Sequence, residues 1–182
     1  MKNQIKVHLG CGKRDFGPDW FHVDGSNFPH VTSNDIVNLP FEKNSVDVIY
    51  ASHVLEYFDR EEATEVLGKW YSVLKNEGVI RLAVADFEII SELYNSKRYD
   101  LNSFVGPLYG KMEMAGENIY HKTTYDFNSL KQKLSSVGFY SIMRYDWRTT
   151  EHSEIDDHSQ AYLPHMNKET GTLISLNVEA KK

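Results

Sequence analysis

The sequence predicts an α/β fold on a mostly parallel sheet, and three observations lead there. Short runs rich in Val, Ile, Tyr and Phe alternate with stretches whose apolar residues recur at helical spacing. The first run ends in a glycine turn, Gly10-Cys11-Gly12, and the second ends on an acid, Asp24. No internal repeat or low-complexity tract interrupts the alternation.

Seven strands follow in order. Ile5 to Leu9 reads as the first and Trp20 to Val23 as the second. Thr32 to Ile36 is a short third, and Val46 to Ala51 a fourth. A helix then spans Arg60 to Lys75, because Ala63, Val66, Leu67, Trp70, Val73 and Leu74 form one apolar stripe. Asp59 stands at its N-cap with Glu62 in capping-box position. Gly78 ends the connection to a fifth strand, Val79 to Val84, and a short helix from Phe87 to Asn95 comes next. Ser96 to Lys122 is long for a connection and rich in Tyr, Met and Gly, which suggests a functional loop. Phe127 to Val137 is helical, with Phe127, Leu130, Leu134 and Val137 on one face and Gly138 at C′. Tyr140 to Tyr145 and Leu173 to Ala180 are the last two strands. The polar segment between them, 146–171, reads as a solvated loop, a substrate-side flap or a subunit contact.

Composition narrows the function. A length of 182 residues fits one domain, 1–182, with one core. No run of about 18 apolar residues is present, and Met1 to Val7 lacks the apolar stretch of a signal peptide. Cys11 has no partner for an internal disulfide, so a cytoplasmic setting is expected. A net charge of −6 argues against nucleic acid as partner, and the longest basic cluster is only Lys13-Arg14.

Gly10 and Gly12 allow close approach of a ligand to the carboxyl edge of the sheet, and a carboxylate at Asp24 suits two ribose hydroxyls. A dinucleotide fingerprint would need a third glycine and an acid about 20 residues on. Asp15 stands at the third glycine's place, and Asp24 follows Gly12 too closely for a helix between the strands. Without that helix there is no N-terminus to hold a pyrophosphate, which disfavours an oxidoreductase using NAD. The short crossover also leaves one sheet face thinly covered. A second subunit, as in a homodimer, or the segment 146–171 would have to cover it.

Further motifs follow in order: Asn34-Asp35-Ile36, Leu39-Pro40-Phe41, Ser45-Val46-Asp47-Val48-Ile49, Leu55-Glu56-Tyr57 and Leu74-Lys75-Asn76-Glu77-Gly78. The series from Val7 to Asp86 resembles class I methyltransferases dependent on S-adenosylmethionine (SAM), most closely a compact subgroup associated with surface-glycan (polysaccharide) biosynthesis. The resemblance implies a Rossmann-like seven-stranded sheet with helices on both faces and an antiparallel last strand. It implies a SAM site made of His8, Gly10, Cys11, Gly12, Asp24, Gly25, Asp35, Ile36, Ser52 and His53. Gly10 and Gly12 would meet the amino-acid part, Asp24 the ribose, Asp35 the adenine amino group and Ile36 its ring. Ser52 and His53 would lie beside the methyl group. His8 and Tyr57 depart from the pattern, which often has an acid at the first position and a histidine at the second. The implied acceptor is a small molecule or sugar, with no membrane or nucleic acid as partner.

A hydroxyl acceptor calls for a general base. His53, Asp86 and His121 are the candidate catalytic residues, although Asp86 can equally be the N-cap of the following helix. His152, Asp156, Asp157, His158 and His165 have ligand chemistry but no paired spacing, so no metal centre is assigned. Tyr94, Tyr99, Phe104, Tyr109 and Tyr120 are candidates to stack on a substrate or pack a lid. A non-catalytic scaffold on the same fold is the alternative reading.

Overall fold

The computed structural model describes residues 4–114 and 116–182. Met1 to Asn3, part of the stretch read above for a signal peptide, and Ala115, within the long connection 96–122, lie outside the described residues. The strands are β1 (Lys6–Leu9), β2 (Trp20–Val23), β3 (Val31–Ser33), β4 (Val46–Ser52), β5 (Leu74–Ala85), β6 (Met112–Met114), β7 (Glu117–Ile119), β8 (Tyr140–Arg144), β9 (Tyr162–Leu163), β10 (Thr172–Leu173) and β11 (Ser175–Lys181). The helices are α1 (Arg60–Val73), α2 (Phe87–Asn95), α3 (Asn102–Tyr109) and α4 (Phe127–Val137). Seven strands form the main sheet in the order β3-β2-β1-β4-β5-β11-β8. β11 runs antiparallel to both neighbours, and the other pairings are parallel. No helix of the described residues is long and apolar enough to cross a membrane.

Pairing register sorts the side chains into two unlike faces, because residues alternate along a strand. Val7 stands beside Ile49, Ile49 beside Ile80, and Ile80 beside Ala180. That apolar face packs under α1, through Ala63, Leu67 and Trp70, and under α4, through Leu130 and Leu134. The opposite face carries His22, His8, Tyr50, Arg81 and Glu179 in register. Its cover has little helix. Phe16, from the crossover 10–19, stacks on His8 at 3.9 Å between ring centroids, and His152 stacks on the other side of Phe16 at 4.4 Å. Tyr50 donates its hydroxyl proton to Asp157, and Asn177 donates to the Ser159 carbonyl at 2.9 Å. The segment 146–171 therefore packs as cover: Trp147, His152, Asp157, Ser159 and Gln160 are buried, and two 3-10 turns, 147–149 and 158–160, are its helical pieces. This overturns the solvated-loop reading and makes a second subunit unnecessary as cover for this face.

Other boundaries moved for local reasons. α1 stops at Val73, not Lys75, because Leu74 is already extended and pairs with Val46. β5 thus starts directly from the helix, and Gly78 lies inside it, where a Cβ would meet the Lys75 carbonyl at 2.8 Å. β3 ends at Ser33, since Asp35 turns the chain by accepting from the Val37 and Asn38 amides. β11 begins at Ser175, since Thr172 and Leu173 pair with Leu163 and Tyr162 in a small ladder. The connection 96–122 contains α3 and the β6–β7 hairpin. The Asp59 capping box and the left-handed Gly138 terminus form as expected.

Burial holds His8 well below its ordinary pKa, assisted by the neighbouring His22 and His152, and burial lowers His152 to about 4. His30, Tyr50, Asp157, Glu151, Arg81, Lys6 and Arg14 are further titratable groups around them. Above the unfolded value near 6.5 both rings are neutral in either state. As pH falls from there toward 4, the unfolded chain binds protons that the folded chain refuses, so stability drops. Urea unfolding at pH 7 and pH 5 should show a loss, of which His152 contributes on the order of 1 kcal/mol or more. That loss should shrink when His152 is replaced by Gln. A pH-independent midpoint would contradict this packing.

Candidate functional site at the carboxyl edge of the sheet

β1, β2 and β4 end side by side and bring together Gly10 to Gly12, Asp24 to Gly25, and Ser52 to His53. The glycine loop is left-handed at both glycines, with φ of 62° at Gly10 and 56° at Gly12. Gly10 donates to the Val23 carbonyl at 2.7 Å, and a Cβ there would sit 2.3 Å from Val54 Cγ2. Gly10 is thus demanded by packing as well as by backbone conformation. The Gly12 amide donates to Asp24 Oδ2 at 2.8 Å, and the Ser26 amide donates to Oδ1 at 2.8 Å. Each Asp24 oxygen keeps capacity for a further donor. Residues 13–19 form turns, so no helix N-terminus follows the glycines.

Cys11 is fully buried, with its sulfur 3.6 Å from His30 Nε2. Burial, then the Asp24 carboxylate, pushes its thiol up to about 12, so it is no nucleophile. His8 does not turn into the cleft. It is 1% exposed and enclosed by Phe16, Trp20, His22 and Tyr50, so the expected cofactor contact from its ring is not made. Asp35 is exposed, and its carboxylate accepts from two backbone amides and from Asn38 Nδ2. Those bonds hold it below its ordinary pKa. Ile36 packs against the main core, and its carbonyl accepts from Trp70 Nε1 at 2.7 Å.

Beyond β4 the backbone tightens. His53 has φ of 52°, an uncommon left-handed state for a non-glycine residue. Its amide donates to the Ala83 carbonyl. The turn places His53 Nδ1 3.1 Å from Glu56 Oε1, while Nε2 lies 3.4 Å from Ser175 Oγ. Glu56 is 0% exposed, and its Oε1 also accepts from the Ala85 amide at 2.9 Å. Burial acts to lower the His53 pKa, yet the adjoining Glu56 carboxylate outweighs it and the net direction is up. For Glu56 burial acts upward, His53 outweighs it, and the net direction is down. His121 joins them: the rings of His53 and His121 stack at 6.3 Å, and both belong to a group of His53, Glu56 and His121 whose ligand atoms lie within 4.8 Å of one another. Backbone bonds hold this corner, from His121 N–H to the Tyr109 carbonyl and from Lys122 N–H to the Glu56 carbonyl.

Asp86, the third catalytic candidate, is buried as the N-cap of α2 and accepts from Arg144 Nη1 at 2.9 Å. Both oxygens are thus engaged. The β6–β7 hairpin reaches the site from above: a Cβ on Gly25 would lie 2.4 Å from Met114 Sδ. Of the aromatic candidates, Phe104 is buried with Tyr99 at its edge, whereas Tyr94, Tyr109 and Tyr120 are exposed. Glu56 and Met114 were not singled out in the sequence. The one available signal was Glu56 at i+3 from His53 within Leu55-Glu56-Tyr57.

Residues 19–82 match the methyltransferase-domain family. No curated protein matches the chain in sequence. In fold it is similar to a SAM-dependent methyltransferase from Archaeoglobus fulgidus, with 17% identity, a TM-score of 0.59 and coverage of 100% of this chain and 87% of that one. A SAM-dependent methyltransferase from Methanosarcina mazei gives 15%, 0.59, 100% and 94%. A Thermotoga maritima protein described as a SAM-dependent methyltransferase, possible histamine N-methyltransferase, gives 14%, 0.59, 100% and 84%. At these identities the likeness is one of fold.

Gly10→Ala tests how the loop is built. Left-handed strain and the Val54 clash together should destabilise the protein by about 2–4 kcal/mol in urea unfolding. Adding Val54→Ala should return the clash part and leave the strain. Equal stability of Gly10→Ala and wild type would contradict the described loop.

Proposed function

We propose that this chain, acting as a single domain, moves the methyl group of SAM to a hydroxyl of a small-molecule or sugar acceptor. The observation that carries the reading is the Asp24 carboxylate, 8% exposed, clasped to the Gly12 amide at the edge where β1, β2 and β4 end. The surrounding residues fit the cofactor. Ser52 Oγ is buried without a hydrogen-bond partner among the described residues, and Asp24 can accept further hydrogen bonds. SAM, when bound, supplies an electrophilic methyl carbon and leaves as S-adenosylhomocysteine (SAH).

The chain's own residues have distinct tasks in this reading. The Gly10-Cys11-Gly12 loop offers backbone to the amino-acid part, and Asp24 takes the ribose hydroxyls. Gly25 keeps the floor low under Met114. Asp35 and Ile36 border the adenine side, with Asp35 first ordering its own turn. His8 and Asp86 are structural, the one beneath Phe16 and the other as cap and Arg144 partner. Ser52, His53 and His121 face the acceptor, where they would position its hydroxyl and take charge of its proton, and the enclosed Glu56 carboxylate orients His53 from behind. The hairpin and α3 lie over this corner, tied down by the Tyr57 hydroxyl donating to the Gly110 carbonyl at 2.6 Å.

Titration calorimetry with SAH tests the reading. Wild type should bind one SAH per chain. Asp24→Asn, which keeps the size but sets an NH2 group against the Gly12 or the Ser26 amide, should weaken binding about 10- to 100-fold through loss of charged hydrogen bonds and of one loop anchor. Thermal unfolding run in parallel shows whether the variant is folded. SAH binding that is absent in wild type, or unchanged in a folded Asp24→Asn, would overturn the site.

A further inference from the structure

We propose that His53, Glu56 and His121 form a site for one borderline divalent transition cation, of the zinc class, beside the acceptor position. His53 and Glu56, three residues apart, and the distant His121 offer two imidazole nitrogens and a carboxylate oxygen, all within 4.8 Å of one another. Two of these side chains have atoms with nothing to bind. Glu56 Oε2 is buried in a fully enclosed side chain, and His121 Nδ1 is likewise buried, and neither has a hydrogen-bond partner among the described residues. Native proteins rarely leave such atoms unsatisfied, and an ion accounts for both at once.

The first coordination shell would be two His and one Glu, with the remaining positions open to solvent or acceptor. Ligand atoms around such a cation stand about 3.3–3.5 Å apart at bond lengths near 2.0–2.1 Å. His53 Nδ1 and Glu56 Oε1 stand 3.1 Å apart, slightly closer than that spacing, the unpartnered Glu56 Oε2 is the oxygen left free for an ion, and His121 has to close in by about 1 Å. The supports for such a shell are in place. Glu56 is oriented by the Ala85 amide. His121 Nδ1 is buried without a hydrogen-bond partner among the described residues, which leaves it available as a ligand atom. His53 is set by its left-handed backbone and by Ser175. No other group of three such residues lies this close among the described residues.

A cation here would bind the acceptor oxygen and make its proton easier to lose. That use rests on the methyl-transfer reading; the binding itself does not. The test uses the full chain, stripped with chelator and dialysed, then titrated with zinc chloride by calorimetry and with cobalt(II) by visible absorption. One equivalent of zinc per chain is expected. His121→Ala, at a partly exposed position, should weaken uptake at least about tenfold, and Glu56→Gln should do the same. Circular dichroism establishes that each variant is folded. Wild type that takes up no zinc, or folded His121→Ala that takes it up like wild type, would overturn the proposal. SAH titrated in the same samples separates the two claims. SAH binding without zinc uptake removes only the metal, and zinc uptake without SAH binding removes only the methyl-transfer reading.

Discussion

Everything in this fold answers to the short crossover between β1 and β2. Parallel neighbours are usually joined by a dozen or more residues that include a helix, and the helix covers one face of the sheet. Here residues 10–19 do that work with turns alone. The face they should cover carries His8, His22, Tyr50 and Arg81, polar or aromatic groups that need partners once buried. Phe16 and the segment 146–160 supply them. The ring sequence His8, Phe16, His152 and the Tyr50–Asp157 hydrogen bond join the two ends of the chain across the same face.

The same economy shapes the site. With no helix after Gly12, the loop lacks a helix dipole and relies on side-chain anchorage, with Asp24 bonded to Gly12 on one side and Ser26 on the other. A ligand with a ribose but no phosphates suits that edge better than a dinucleotide. Across the edge, the left-handed turn at His53 swings Glu56 under β5 and brings both to His121. The Asp24 corner and the His53–Glu56–His121 corner are therefore built from opposite flanks of β4.

Much of this was legible in the sequence because it depends on local pattern. The succession of strands along the chain up to β5, the α1 stripe, the Asp59 capping box, the α4 limits and the Gly-Cys-Gly turn all follow from spacing and propensity. What was not legible depends on distant packing. His8 reads as a cofactor contact by its place before the loop, and only the position of Phe16 and His152 shows it enclosed. That the segment 146–171 could cover the thin face follows from the short crossover, but which of its polar groups meet which partners on the sheet does not. Glu56, 0% exposed, has one partner near in sequence, His53, while the others, at positions 85 and 121, are distant, so its burial was not legible.

The account stands on one claim, that the carboxyl edge of β1, β2 and β4 is where SAM binds. Amide NMR of the labelled chain titrated with SAH tests it most directly. The account predicts the largest shifts at Gly10, Gly12, Gly25, Ser52 and His53, with smaller ones at Val37 and Asn38 beside Asp35. Shifts confined to the segment 146–171 or to α2 and α3, or no shifts at saturating SAH, would contradict it.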